Sequence, residues 1–243
     1  MNTIVKNIPN TITCGNFLCG AVGIVFAFEG RLELSFVMML AAAVCDFCDG
    51  LAARLLKAYS DVGKELDSLS DVVSFGLLPS IMLSMLYVDA VGPALGLFPL
   101  LLGCFSALRL AKFNIDERQH ESFLGLPTPA SAIICGSLAS FVSMTPDSFL
   151  ASWCAGKWFL PLLTLVLCLL VVSDVPMFSM KFGTGKETPK REKEKRQLFV
   201  SCALLSVVLT LALEARWPFF LLLCFLSYVL VNLVFALIPD RQK

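Results

Sequence analysis

Asp46, Asp49, Asp67 and Asp71 are the residues of this chain best suited to chemistry. Asp46 and Asp49 are three apart, and Asp67 and Asp71 are four apart. On helices, both spacings put the paired carboxylates on one face. The segments that carry them are otherwise largely apolar, and an aspartate at the centre of a membrane helix costs about 2.5–3.5 kcal/mol on insertion scales. Four such groups facing one another repel unless cations lie between them. Oxygen ligands suit hard divalent ions, so the set reads as a site for two cations, Mg²⁺ or Mn²⁺. Gly50, Ala53 and Gly63 have little or no side chain, so a ligand can approach the helix backbone closely there. Arg54 suits a phosphate, because its guanidinium binds two oxygens at once. Metals, small residues and an arginine together describe a site for a phosphate-linked substrate. Helix-end packing and interfacial charge account for Arg54, Lys57 or Gly63 singly, but not for four carboxylates at matched spacing.

The elements that must position these groups are membrane helices. Of the 243 residues 57% are hydrophobic, and the mean hydropathy is +0.81. Soluble domains are nearer 45–50% apolar. An all-α integral membrane protein is expected, with little room for a soluble domain. Apolar runs near 20 residues mark about eight transmembrane helices. They cover about 11–28, 32–56, 67–88, 94–113, 130–144, 158–180, 198–213 and 219–238. Gly92-Pro93, Pro127-Thr128-Pro129 and Thr145-Pro146 punctuate the connections. The first apolar run lacks a small-residue cleavage site and reads as a retained helix. Ten cysteines, scattered through apolar segments, read as small buried hydrophobes. Cys45 and Cys48 form a CxxC without a second pair nearby, which speaks against a zinc site.

Charge gives the orientation. The formal net charge is zero, which argues against a nucleic-acid partner. With the amino terminus in the cytoplasm and eight crossings, sixteen of the 19 lysines and arginines fall on the cytoplasmic side. Only Arg31, Lys157 and Arg216 fall outside. The positive-inside rule then places both termini and the Asp46–Asp71 stretch at the cytoplasmic face. The run from Lys186 to Arg196 interleaves glutamates with its basic residues and reads as a solvated loop rather than a lipid-binding patch.

The pattern Asp46-x2-Asp49-Gly50-x2-Ala53-Arg54-x8-Gly63-x3-Asp67-x3-Asp71 resembles the signature of the CDP-alcohol phosphotransferases, with every position filled. The resemblance implies an intramembrane enzyme with a six-helix core, usually a homodimer. Such an enzyme moves a phosphatidyl-type group from a CDP-linked donor to an alcohol and releases CMP. It divides the chain into a catalytic core (1–180), a charged cytoplasmic loop (181–197) and a two-helix extension (198–243). It assigns Asp46, Asp49, Asp67 and Asp71 to a two-metal site, with Asp71 also the general base. Gly50, Ala53 and Gly63 would line the cytidine pocket, and Arg54 and Ser60 would contact the donor. The stretch Ile8-Pro9-Asn10-Thr11-Ile12-Thr13 resembles a family element that closes over the donor, which brings in Asn10. It reads equally as a helix start.

Within the family, Asp67-Ser-Leu-Ser-Asp71-Val-Val-Ser-Phe75-Gly76-Leu-Leu-Pro79 resembles the bacterial and archaeal phosphatidylserine synthases. So do Arg109-Leu-Ala-Lys112-Phe113-Asn114 and Phe123-Leu-Gly125-Leu126-Pro127-Thr-Pro129-Ala130. This branch implies CDP-diacylglycerol and L-serine as substrates. Arg109, Lys112 and Asn114 end the fourth helix, and cations there suit the carboxylate of a zwitterionic acceptor. Asp116, Glu117 and Glu121 are candidates for its ammonium. His120 reads as a loop residue and Asp174 as helix-end solvation. The rival readings are another acceptor (glycerol phosphate, inositol phosphate or an ethanolamine-type alcohol), a cation transporter with intramembrane carboxylates and a purely structural membrane protein, which the four aspartates speak against.

Overall fold

A computed structural model gives the fold, and it describes residues 3–115, 123–178 and 190–237. The first helix, α1 (Thr3–Phe28), is followed by a tight turn and α2 (Leu32–Leu55). Next come α3 (Asp61–Asp71), a π-helical segment (Val72–Leu77) and α4 (Leu78–Val91), which together form one long rod. A short α5 (Pro93–Gly96) and a 3₁₀ turn lead into α6 (Leu101–Ile115). After β1 (Phe123–Leu124) come α7 (Thr128–Met144), α8 (Phe149–Cys154) and α9 (Phe159–Val172). The chain continues through β2 (Pro176–Met177) to α10 (Lys190–Ala212) and α11 (Trp217–Leu237). The protein is an all-α membrane protein. Among the described residues six helical stretches are long and apolar enough to cross a bilayer: 7–28, 32–55, 61–91, 93–115, 191–212 and 217–237. Helices α7 and α9 are apolar but shorter.

Several boundaries differ from the sequence-based expectation, each for a local reason. Helix α1 begins eight residues early, and Thr13 Oγ1 donates to the Pro9 carbonyl within it. The third helix begins at Asp61 because Ser60 caps it, its hydroxyl accepting from Gly63 N–H at 3.0 Å. The sixth ends at Val172 rather than near residue 180, where the chain turns into β2 and pairs antiparallel with β1. The charged stretch expected as a loop is helical from Lys190 onward, with an Arg196–Glu192 ion pair one turn apart. Residues 181–189 of that loop lie outside the described residues, as do Asp116, Glu117, His120 and Glu121. Asp174 sits in the short link between α9 and β2.

Helix α7 is the hub. Most of its residues are buried, and its Ala, Ser, Gly and Cys side chains let neighbours approach closely. Phe36 and Met39 of α2 press against Gly136 of α7. The rod α3–α4 runs beside α1 in the same direction: Asn16 meets Asp71, Gly20 meets Ser74, and Gly23 meets Leu78. A Cβ on Gly20 would lie 3.0 Å from the Ser74 Cα, so only glycine permits this approach. Helix α11 packs on the core through Phe219 against Phe141 and Trp217 stacked on Phe36. Large apolar side chains left exposed, such as Phe47, Leu51, Leu55, Tyr59, Val62 and Leu69, surround the ends of α2 and α3. In water such a surface marks an interaction site, and in a membrane protein it suits contact with lipid or with another membrane helix.

Candidate active site

The carboxylates converge between the last turns of α2 and the second half of α3. Carboxylate oxygens of Asp46, Asp49 and Asp67 lie within 4.8 Å of one another, the one such group of potential metal ligands among the described residues. Asp71 lies one helical turn beyond Asp67, 8% exposed, within electrostatic range of the other three. Its Oδ1 accepts from Asn16 Nδ2 at 3.1 Å. Asp49 is also buried, and it shares a cavity wall with Thr13 of α1. Yet Asp49 Oδ2 and Asp67 Oδ1 are buried without a hydrogen-bond partner. Unpaired anionic oxygens in such a place are costly. Their proximity and all-oxygen chemistry fit a hard divalent cation, so the acidic cluster is a candidate metal site. All ten cysteines are free thiols, Cys45 and Cys48 included.

A cavity of about 300 Å³ opens beside the cluster. Its walls hold Asp49 and Asp67 together with Asn10, Gly50, Ala53, Arg54, Ser60 and Gly63, all six of the residues expected at the donor. Local geometry accounts for their arrangement. A Cβ on Gly63 would lie 2.8 Å from Asn10 Oδ1 and 3.0 Å from Ser60 Oγ, so the missing side chain makes the space. Arg54 Nε donates to the Gly50 carbonyl at 3.1 Å, which holds the guanidinium over the helix end. Ser60 already spends its oxygen on capping α3. Thr13, the last residue of the stretch expected to close over the donor, also lines the cavity, as do Tyr59 and Lys64, which no sequence motif singled out.

The three residues expected at the acceptor are not equivalent. Arg109 is 7% exposed, lies within electrostatic range of Asp71, and donates from Nη1 to Thr128 Oγ1 at 3.1 Å. Its Nε is buried with no partner. Lys112 is exposed, so the two cations do not share a buried face despite their spacing. Asn114 Nδ2 donates to Ser68 Oγ at 2.9 Å, and its carbonyl accepts from Lys64 Nζ at 3.1 Å. Asn114 thus ties the end of α6 to α3. Asn16 was missed by sequence reasoning. It is fully buried in an apolar helix, and that placement six residues after Asn10 was its only signal.

A membrane bundle with an acidic cluster, an arginine and a glycine-lined cavity at its helix ends defines a class of lipid-processing phosphotransferases. The CDP-alcohol phosphatidyltransferase family model matches residues 6–170, and the chain belongs to that family. It is 35% identical over 184 residues to CDP-diacylglycerol–serine O-phosphatidyltransferase of Mycobacterium leprae, covering 71% of this chain and 58% of that protein. It is 36% identical over 135 residues to the protein of the same name from Bacillus subtilis, covering 55% of this chain and 75% of that one. It is 33% identical over 147 residues to archaetidylserine synthase of Methanothermobacter thermautotrophicus, covering 59% of this chain and 63% of that one. The chain thus spans less than two thirds of the Mycobacterium leprae relative.

Proposed function

We propose that this protein is a phosphatidylserine synthase: it transfers the phosphatidyl group of CDP-diacylglycerol to the hydroxyl of L-serine and releases CMP. The observation that carries this reading is the meeting of three clustered carboxylates, two with orphaned buried oxygens, with a cavity lined by Gly50, Ala53, Arg54 and Gly63. The names of the relatives support the choice of donor and acceptor.

Asp46, Asp49, Asp67 and Asp71 would hold two divalent ions, Mg²⁺ or Mn²⁺, and bound there these would neutralise the pyrophosphate and stabilise developing charge. Around that site each residue has a task. Gly50, Ala53 and Gly63 leave room for the cytidine, and Asn10 closes over it from α1. Arg54 binds donor phosphate oxygens, with Ser60 at the same wall. Arg109 holds the serine carboxylate through its unpaired Nε, and Asn114 fixes the end of its helix. Asp71, held by Asn16, takes the proton from the serine hydroxyl as that oxygen attacks the phosphorus nearer the glyceride in line. The leaving CMP departs on the opposite side.

The core would extend over 1–180, with the C-terminal helices as an appendage. The charge bias supports both termini and the active site at the cytoplasmic face, and the family resemblance supports a homodimer.

The test is CMP release by purified protein given CDP-diacylglycerol and each of serine, glycerol phosphate and inositol phosphate. Serine-dependent release with labelled serine recovered in lipid is expected. Release with another alcohol and none with serine refutes the choice of acceptor. Cation flux without CMP release refutes the enzyme.

A further inference from the structure

The C-terminal helices lie outside the family match, which ends at residue 170, yet they reach the acceptor side of the site through a continuous set of bonds. Phe178 follows β2 directly, and its main chain is gripped from both sides by α11. Asn232 Oδ1 accepts from Phe178 N–H at 2.9 Å, and Tyr228 hydroxyl donates to the Phe178 carbonyl at 3.0 Å. Asn232 Nδ2 donates to the Tyr228 carbonyl at 2.9 Å, so the two gripping residues are bound to each other. Asn232 is fully buried and Tyr228 nearly so, and neither belongs to the site described above. A buried asparagine amid apolar side chains is costly unless its polar atoms are bonded, and here both the oxygen and the nitrogen are.

The grip is passed on through the sheet. Met177 and Pro176 pair with Phe123 and Leu124. The next residues are pinned by Gly125 N–H to the Val175 carbonyl and Leu126 N–H to the Leu170 carbonyl, both at 2.9 Å. Gly125 has a φ of 73°, and a Cβ there would lie 2.6 Å from the Ser173 carbonyl oxygen, so the turn accepts only glycine. Three residues on, Thr128 takes the Arg109 guanidinium. Tyr228 itself lies within electrostatic range of Arg109.

We propose that α11 is a positioning element for the acceptor, with Tyr228 and Asn232 as positioning residues that act through Phe178, the β1–β2 pair and Thr128 on Arg109. This rests on the reading of Arg109 as the residue that holds the serine carboxylate. It gives α11 a role in alcohol selection rather than in membrane anchoring alone.

The test uses full-length Tyr228→Phe and Asn232→Leu protein. Tyr228→Phe keeps the ring tilted against Phe178 at 5.0 Å and removes only the hydroxyl, so it decides the matter if Asn232→Leu fails to fold. The KM for serine should rise about threefold to tenfold, the range expected for loss of one neutral hydrogen bond. The KM for CDP-diacylglycerol should stay within twofold of wild type. Amide exchange at Gly125 and Leu126 should quicken in parallel. Equal rises in both KM values, or unchanged exchange at Gly125 and Leu126, overturn the proposal, since a general loss of stability would not discriminate between substrates. If wild-type protein shows no serine-dependent CMP release, the acceptor reading falls. The exchange measurement then decides separately whether α11 sets the Gly125 turn.

Discussion

Replacing Asn16 tests the base assignment through a residue whose role only the packing of α1 on the rod reveals. Asn16→Leu removes the amide that donates to Asp71 Oδ1 at 3.1 Å. A hydrogen bond to a charged group contributes about 1.5–3 kcal/mol, and the long distance argues for the lower half, about 1.5–2 kcal/mol. If that bond orients Asp71 for proton transfer, the loss appears in kcat as about a 13- to 30-fold decrease. The stability cost should be smaller. Asn16 Oδ1 is itself buried without a partner, and removing it offsets part of the lost bond. The Asn16 carbonyl still accepts from Ser74 Oγ at 3.0 Å, so α1 stays registered against the rod. Steady-state CMP release in mixed micelles, with each substrate varied in turn, gives kcat and both KM values, and a thermal melt reports folding. The expected pattern is a depressed kcat, a donor KM within threefold of wild type and a small change in Tm. A kcat within twofold of wild type in folded protein refutes the idea that Asn16 positions the base.

Other outcomes follow from the same geometry. Activity should vanish in EDTA and return with Mg²⁺ or Mn²⁺, because the clustered carboxylates would otherwise repel both one another and the pyrophosphate; full turnover in chelator contradicts the metal site. Arg109→Ala should raise the serine KM about tenfold to hundredfold, the scale of a lost charged contact, while exposed Lys112→Ala should change it less than twofold; equal effects of the two would put Lys112 back at the acceptor. Gly63→Ala should raise the donor KM with little change in the serine KM, because its methyl would displace Asn10 and narrow the cavity; unchanged kinetics would place the nucleotide elsewhere. In a cysteine-free variant, single cysteines at Lys57 and Glu214 should label from opposite sides of the membrane. Labelling of both from one side would reject the proposed orientation.

The acidic cluster was legible because its constraints are local. Carboxylates at i, i+3 and i, i+4 in apolar runs, with glycine and arginine at fixed offsets, declare a face and a charge problem before any fold is known. The residues that complete the site were hidden because their roles depend on tertiary neighbours. Asn16 is one polar residue in a long apolar helix until α1 is laid beside the rod. Arg109 and Lys112 share a spacing, but packing against α7 buries one and leaves the other exposed. Helix ends failed for a different reason. The run after Lys190 is rich in Lys, Arg and Glu, which are good helix formers, and hydropathy alone reads them as loop. The π-helical segment after Asp71 leaves no mark in apolar periodicity at all.

The exposed apolar collar around the ends of α2 and α3 bears on how a lipid donor would reach the cavity. Phe47, Leu55 and Tyr59 are 68%, 74% and 69% exposed, on the same elements that carry the acidic cluster and the cavity walls. Acyl chains can therefore stay among their neighbours in the leaflet while the head group alone swings into the protein. Supply of such a donor is a two-dimensional problem. What sets its rate is the mole fraction of donor in the leaflet and its lateral diffusion, not its amount per volume of solution. The alcohol, by contrast, arrives from water in three dimensions. Adding inert detergent or lipid at fixed total donor would then slow the reaction by surface dilution alone, with every residue of the site unchanged.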